Sequence, residues 1–375
     1  MAGRTAFERE SLARQNTAIM AVFERAGFEQ IAPDIIQPAD IFLERSGEDI
    51  RARTFVFNDP NGNELCLRPD LTVPACRFHL SHAAQPEKEA RYSYLGPAFR
   101  FPDEKLSPQE FTQAGLEWFG AAEPIAAEAR MLKLAISALE AAGATNLKVT
   151  LGDMGLFSAL LADTKMPERW RRRLRHQFWR PQAFRALLKK FAQPPQATRS
   201  SISEIIDSLQ TKQAKPAVLD WIEAKRLSIQ GTRTLDEVTE RLSEKFADRS
   251  EPALDASAVA AIETYLSIAG QADEVVPQLR KLSSGAGYAV AVSAYEKRLT
   301  ALEEQGLNPR RFSFSANFGR EIEYYTGFVF QVEASGVAVA GGGRYDDMLS
   351  DLGAPARIPA FGFAIHTERL QAVMA

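Results

Sequence analysis

Apolar and polar positions recur with two different periods along this chain. From Thr5 to Ala26, Phe7, Leu12, Ile19, Val22 and Phe23 return at roughly helical spacing among charged residues, and Gly27 follows where a helix commonly ends. An opening helix is predicted. In the next stretch, FEQIAPDIIQPADIF, Pro33 and Pro38 interrupt apolar runs, which predicts an edge strand with irregular connections. Thr54 to Phe57 and Glu64 to Arg68 flank the turn-forming Asn58, Asp59, Pro60, Asn61 and Gly62 and read as a hairpin. Arg91 to Phe99 and Phe111 to Phe119 are two further strands, Ile125 to Ala142 an alanine-rich helix closed by Gly143, and Leu147 to Leu151 a short strand. That order predicts an α+β fold around an antiparallel sheet flanked by helices.

Between about Ser158 and Gln305 the helical period dominates and strand signals nearly vanish. The expected organisation is a discontinuous core, 1–157 and 306–375, interrupted by a mostly helical inserted region, 158–305. Its most charged part, ERWRRRLRHQFWRPQAFRALLKK, invites an RNA-binding interpretation, but Trp170, Leu174 and Phe178 form an i, i+4, i+8 stripe that requires a core. An amphipathic helix is the expectation there. Strand signals return at Tyr324 to Glu333 and Val337 to Gly341, joined by Ala334, Ser335 and Gly336, and the last segment, FGFAIHTERLQAVMA, is apolar and then helical.

Composition narrows the function classes. A formal net charge of -3 over 375 residues provides no global field to attract a polyanion. Cys66 and Cys76 are the only cysteines and lack CxxC or histidine spacing, so neither a disulfide framework nor a zinc site is expected. The four histidines, His79, His82, His176 and His366, are scattered without ligand spacing. No metal and no cofactor are anticipated. The N-terminal segment has no apolar core of a signal peptide, and no uncharged apolar run reaches membrane-spanning length. A cytoplasmic protein without membrane attachment is the expectation.

The most informative strand is QEFTQAGLEWFG. Alternation puts Phe111, Gln113, Gly115, Glu117 and Phe119 on one face. An amide and a carboxylate on an apolar face are costly to bury unpaired, and the glycine between them leaves room for a small polar ligand. Arg100 ends the preceding strand and can meet a carboxylate or phosphate, although a strand-terminal arginine is more often solvated. RPDLT supplies Arg68, Asp70 and Thr72, either as a plain turn in which Asp70 bonds its own backbone or as part of a site. GREIEYYTG contributes Arg320, Glu323, Tyr324 and Tyr325, and strand alternation allows at most one of the tyrosines to be a contact residue. GGGRYDD lacks the spacing of a phosphate loop and reads as a structural turn.

Together and in this order, RPDLTVPACR, YLGPAFR, EFTQAGLEWFG, YYTGFVF, GGGRYD and GFAIHTERL resemble the catalytic domain of histidyl-tRNA synthetases, of class II. FEQIAPDIIQPADIF is similar to the dimer-forming first motif of that class. The resemblance implies a histidine pocket with Asp70 and Gln113 near the amino group, Glu117 and Tyr325 around the imidazole, Arg320 near the carboxylate and Tyr345 completing the wall. Thr72, Arg100 and Tyr324 belong to the same implied histidine-binding set. Asp70 is one methylene shorter than the expected glutamate, so its reach to the amino group is reduced or bridged by water.

The departures from the synthetases point away from catalysis. The loop after Arg100 reads FPDEKLSPQE, with Lys105 its only cation, where the synthetases are rich in arginine. Arg100 and Arg369 remain and leave residual nucleotide contact open. His366 and Thr367 stand where a small and an apolar residue are expected, and the chain stops where the synthetases continue into an anticodon-binding domain. No catalytic residue is therefore assigned. The pattern is similar to the regulatory subunits that partner short-form ATP phosphoribosyltransferase catalytic subunits. It implies a hetero-oligomer containing a dimer of this chain, with histidine as allosteric ligand and no tRNA binding. The competing possibilities are a truncated histidyl-tRNA synthetase or a histidine-adenylating ligase and, with less support, a sensor of uncharged tRNA.

Overall fold

The computed structural model describes residues 3–43, 48–101, 109–194, 214–224, 235–282, 285–318 and 324–374. In chain order the strands are β1 (Glu29–Gln30), β2 (Ile36–Pro38), β3 (Val56–Asn58), β4 (Glu64–Leu67), β5 (Ala90–Phe99), β6 (Glu110–Phe119), β7 (Lys148–Asp153), β8 (Ala269–Gln271), β9 (Phe312–Ser315), β10 (Phe328–Ala334), β11 (Val337–Arg344) and β12 (Ala360–His366). Nine of them form one sheet in the order β1-β5-β6-β12-β11-β10-β7-β9-β8, and β2-β4-β3 form a second. The pairings are antiparallel except β1 with β5 and β7 with β9.

Local sequence explains most of these elements. The opening helix Ala6–Arg25 starts on a capping box, with Thr5 Oγ1 accepting from Glu8 N and Glu8 Oε2 accepting from Thr5 N. It ends before Gly27, whose φ of +83° suits a glycine at that position. It buries Leu12, Gln15, Ile19, Val22 and Phe23. Phe7 is 74% exposed, contrary to the expected stripe, because a five-residue offset from Leu12 rotates it well away from that face. The β10/β11 hairpin closes through Ser335 and Gly336, both at positive φ, which matches the right-handed strand twist. The triple glycine 341–343 lies inside β11 and not in a turn. A Cβ on Gly343 would stand 2.7 Å from the Tyr325 ring, so close packing selects glycine there.

The chain divides into two compact units, Met1–Asp163 with Ile262–Ala375, and Thr164–Ala261. The second is shorter than the 158–305 helical region read from the sequence. Helix Ala286–Glu304 packs through Tyr288, Val292, Tyr295 and Leu302 with helices Pro124–Ala141 and Met154–Asp163, and β8 and β9 extend the main sheet. Long-range packing of this kind leaves no trace in helical periodicity. Within the first unit, Arg298 Nε donates to Glu128 Oε2 at 2.6 Å and its Nη1 to Asp153 Oδ2 at 2.7 Å. Arg344 Nη1 adds a second cation on Glu128, at 3.2 Å.

Taken by itself, the Thr164–Ala261 unit shows what its arginines do. Trp170, Leu174 and Phe178 are buried, and Trp170 lies parallel to Phe191 with centroids 4.2 Å apart. Arg169 and Arg173 bind Asp248 at 2.8 and 2.6 Å, Arg173 also reaches Glu244, and Arg171 and Arg175 share Glu168. The basic run is answered by acids of its own unit. Among the described helices, none is long and apolar enough to cross a membrane.

Candidate functional site

The site lies on the face of β6 that carries Gln113 and Glu117. In the β5/β6 ladder Tyr94 pairs with Gly115 and Gly96 with Gln113, and in the β6/β12 ladder Gly362 pairs with Glu117. Residues paired in this way share a face, so these side chains are neighbours. The room left by Gly115 is taken by Tyr94: a Cβ there would stand 2.5 Å from the tyrosine hydroxyl. The sequence-based expectation that this glycine opens space for a ligand is therefore corrected. A Cβ on Gly362 would fall on the Glu117 carboxylate, so only glycine leaves that group room there.

Glu117 is 0% exposed and its hydrogen-bond partners are hydroxyls. Tyr94 donates to Oε1 at 3.0 Å and Tyr345 donates to Oε2. Burial pushes its pKa up to about 8, while the hydroxyls of Tyr345, Thr72 and Tyr94 pull against that rise and nearby Asp70 adds to it. Tyr94 and Tyr345 are themselves driven well above the usual phenol range, first by burial and then by the charge of Glu117. They remain donors at neutral pH.

Asp70 precedes helix Thr72–His82, and both readings of RPDLT apply to it. Its Oδ1 accepts from Val73 N at 3.2 Å, as in a turn, whereas its buried Oδ2 has no hydrogen-bond partner among the described residues. Burial raises its pKa, opposed by the charge of Arg100 and the backbone N–H groups of Val73 and Thr72. A buried carboxylate oxygen without a donor is costly, and a ligand ammonium would satisfy it. Gln113 Oε1 accepts from Leu71 N at 3.2 Å, which holds the strand–helix junction against β6. Arg68 is buried with Nε on Pro97 O and Nη1 on Pro33 O, so it braces backbone.

Tyr324 and Tyr325 both lean into the site, with ring centroids 4.9 Å apart and Tyr324 edge-on to Tyr345 at 5.5 Å. Strand alternation does not separate them because β10 begins only at Phe328. Arg100 is half-buried, with Nε on Pro69 O at 2.7 Å and its guanidinium 5.4 Å from the Phe111 ring. Arg369 is exposed on the last helix. Arg320, Glu323 and Lys105 lie outside the described residues. Tyr94 was missed in the sequence, although the alternation Tyr92, Tyr94, Gly96 in β5 was available to mark its face. The assembled face offers a proton-sharing carboxyl beside hydroxyls at one end and an unpaired carboxylate oxygen at the other. It suits a small molecule with a ring N–H and an ammonium group.

The fold is that of the class II synthetase-like proteins: the histidyl-tRNA synthetase family model matches residues 5–251 and 235–370. Among solved structures, an ATP phosphoribosyltransferase regulatory subunit/histidyl-tRNA synthetase from Bacillus halodurans superposes with TM-score 0.72 at 20% identity, over 100% of this chain and 81% of that one. A histidyl-tRNA synthetase from Nostoc gives TM-score 0.61 at 17% identity, over 97% and 71%. At such identities the likeness concerns the fold alone. The chain belongs to the family of ATP phosphoribosyltransferase regulatory subunits, being 35% identical over 367 residues to that of Mesorhizobium japonicum, across 95% of this chain and 96% of the relative. Identity to the Sinorhizobium fredii protein of the same name is 34% over 369 residues, with 95% and 96% covered.

Proposed function

We propose that this chain is a non-catalytic regulatory subunit in the first step of histidine biosynthesis, required for activity of a short-form ATP phosphoribosyltransferase catalytic subunit and conferring feedback inhibition by histidine. The observation that carries the histidine part is the pairing of a buried Glu117 held by hydroxyls with the unpaired Oδ2 of Asp70. Glu117 receives the imidazole N–H, with Tyr325 and Tyr345 around the ring. Asp70 and Gln113 take the amino group, Arg320 takes the carboxylate, and Thr72, Arg100 and Tyr324 complete the enclosure. Membership of the regulatory-subunit family supports the partner assignment.

In this proposal the chain dimerises within a cytoplasmic hetero-oligomer, and histidine binds one global state of the assembly better than the other. Arg369 retains at most a nucleotide contact. The test is an assay of a short-form catalytic subunit with and without this chain, followed by histidine. Activation and histidine-dependent inhibition are expected. Absence of both overturns the proposal, and histidine-dependent exchange of pyrophosphate into ATP by the isolated chain would establish a ligase in its place.

A further inference from the structure

The row of polar side chains on β6 runs out in an aromatic stack. Two residues beyond Gln113 on the same face is Phe111, and the residue paired with Gln113 across the β6/β12 ladder is His366. The His366 imidazole stacks on the Phe111 ring with centroids 5.0 Å apart and planes at 28°. Phe111 is 8% and His366 7% exposed. The stack is anchored by the start of the helix that follows, Thr367–Met374: Glu368 accepts from Thr112 N at 2.8 Å, Thr112 Oγ1 at 2.7 Å, Thr367 Oγ1 at 3.2 Å and Arg4 Nη2 at 2.7 Å. Strand β12 is thus tied to β6 at the step where the two rings meet.

A ligand with its ring at Glu117 and its amino group at Asp70 brings its α-carbon toward Gln113. The next side chain along that face is about 6.8 Å further on, two residues of extended strand. A free carboxylate ends short of it. A planar group attached to the carboxyl carbon would need the Phe111 face that the His366 ring already covers.

We propose that His366 is a specificity-determining stop, which admits free histidine and rejects histidine extended by a planar group at its carboxyl. The inference rests on the histidine reading of the pocket. It is tested by calorimetry on the full chain with two probes, L-histidine and L-histidine β-naphthylamide, for wild type, His366→Ala and His366→Phe. Wild type is expected to prefer histidine by about 100-fold or more. His366→Ala should tighten the naphthylamide by about 30-fold while changing histidine by less than about threefold. His366→Phe, which restores a stacked ring, should exclude the naphthylamide as wild type does. Equal naphthylamide affinity for wild type and His366→Ala, with histidine still bound, overturns the stop. A wild type that binds no histidine overturns the pocket reading and the stop with it, and that failure is read from the histidine titration alone.

Discussion

Two glutamates in the same unit are almost completely removed from water, Glu117 at 0% and Glu128 at 1% exposure, and their surroundings are opposite in kind. Glu128 is bracketed by the guanidinium groups of Arg298 and Arg344. Glu117 meets hydroxyls, and Asp70, which shares its site, keeps one oxygen unpaired. The first arrangement leaves nothing for a ligand to add and ties helix Ala286–Glu304 to helix Pro124–Ala141 and β7. In the second, no adjacent guanidinium neutralises Glu117 among the described residues and one buried oxygen of Asp70 is left without a donor there, a cost that a bound ammonium would offset. The ion-paired carboxylate builds the fold, and on the reading proposed above the hydroxyl-held one and its neighbour Asp70 serve binding.

The sharpest way to break this contrast is Arg298→Met. It strips one cation from Glu128 and Asp153 and should cost about 3–5 kcal/mol of folding stability in urea titrations, as breaking a buried ion pair does. A loss near zero would mean that the network is not structural. Glu117→Gln should act in the other direction. The amide keeps the shape but cannot carry charge, so histidine affinity should fall about 100-fold, near 3 kcal/mol, in calorimetry.

The same variant carries a pH signature. Folded Glu117 holds its proton up to about 8, whereas the unfolded chain releases it near the usual carboxyl value, so the unliganded protein loses stability as pH rises between those points. Glu117→Gln should remove that decline and melt higher than wild type at pH 8. Histidine binding should follow a plateau from about pH 6.5, the imidazole value, to about 8. Within it, Glu117 and ligand together bring the single proton that their complex needs. Affinity should drop by up to about tenfold per pH unit on either side, through proton release below and uptake above, and a flat profile would exclude a titrating Glu117. The smallest effect belongs to the exposed Arg172, paired with Glu240 and Glu244. Arg172→Ala should cost less than about 1 kcal/mol in the same urea titration.

Local sequence made much of the frame legible. The opening helix with its terminal glycine, the β10/β11 hairpin and the stripe of Trp170, Leu174 and Phe178 all follow from interactions between near neighbours in the chain. The apolar period does not distinguish helices of one unit from those of the other, so the grouping of residues 262–304 with the sheet unit, which rests on long-range packing, was not legible in the helical pattern that they continue.

By itself the sequence determined which face of β6 carries Gln113 and Glu117, because side-chain alternation is a property of the strand and needs no partner. Only the tertiary structure decided what that face meets. Register brought Tyr94 over Gly115 and laid Glu117 on Gly362, the irregular backbone before β10 turned both Tyr324 and Tyr325 into the site, and the β6/β12 ladder set His366 on Phe111. Most of these pairs join residues far apart in the chain, and the energy that selects them comes from burial and hydrogen bonding between strands, which no local period encodes.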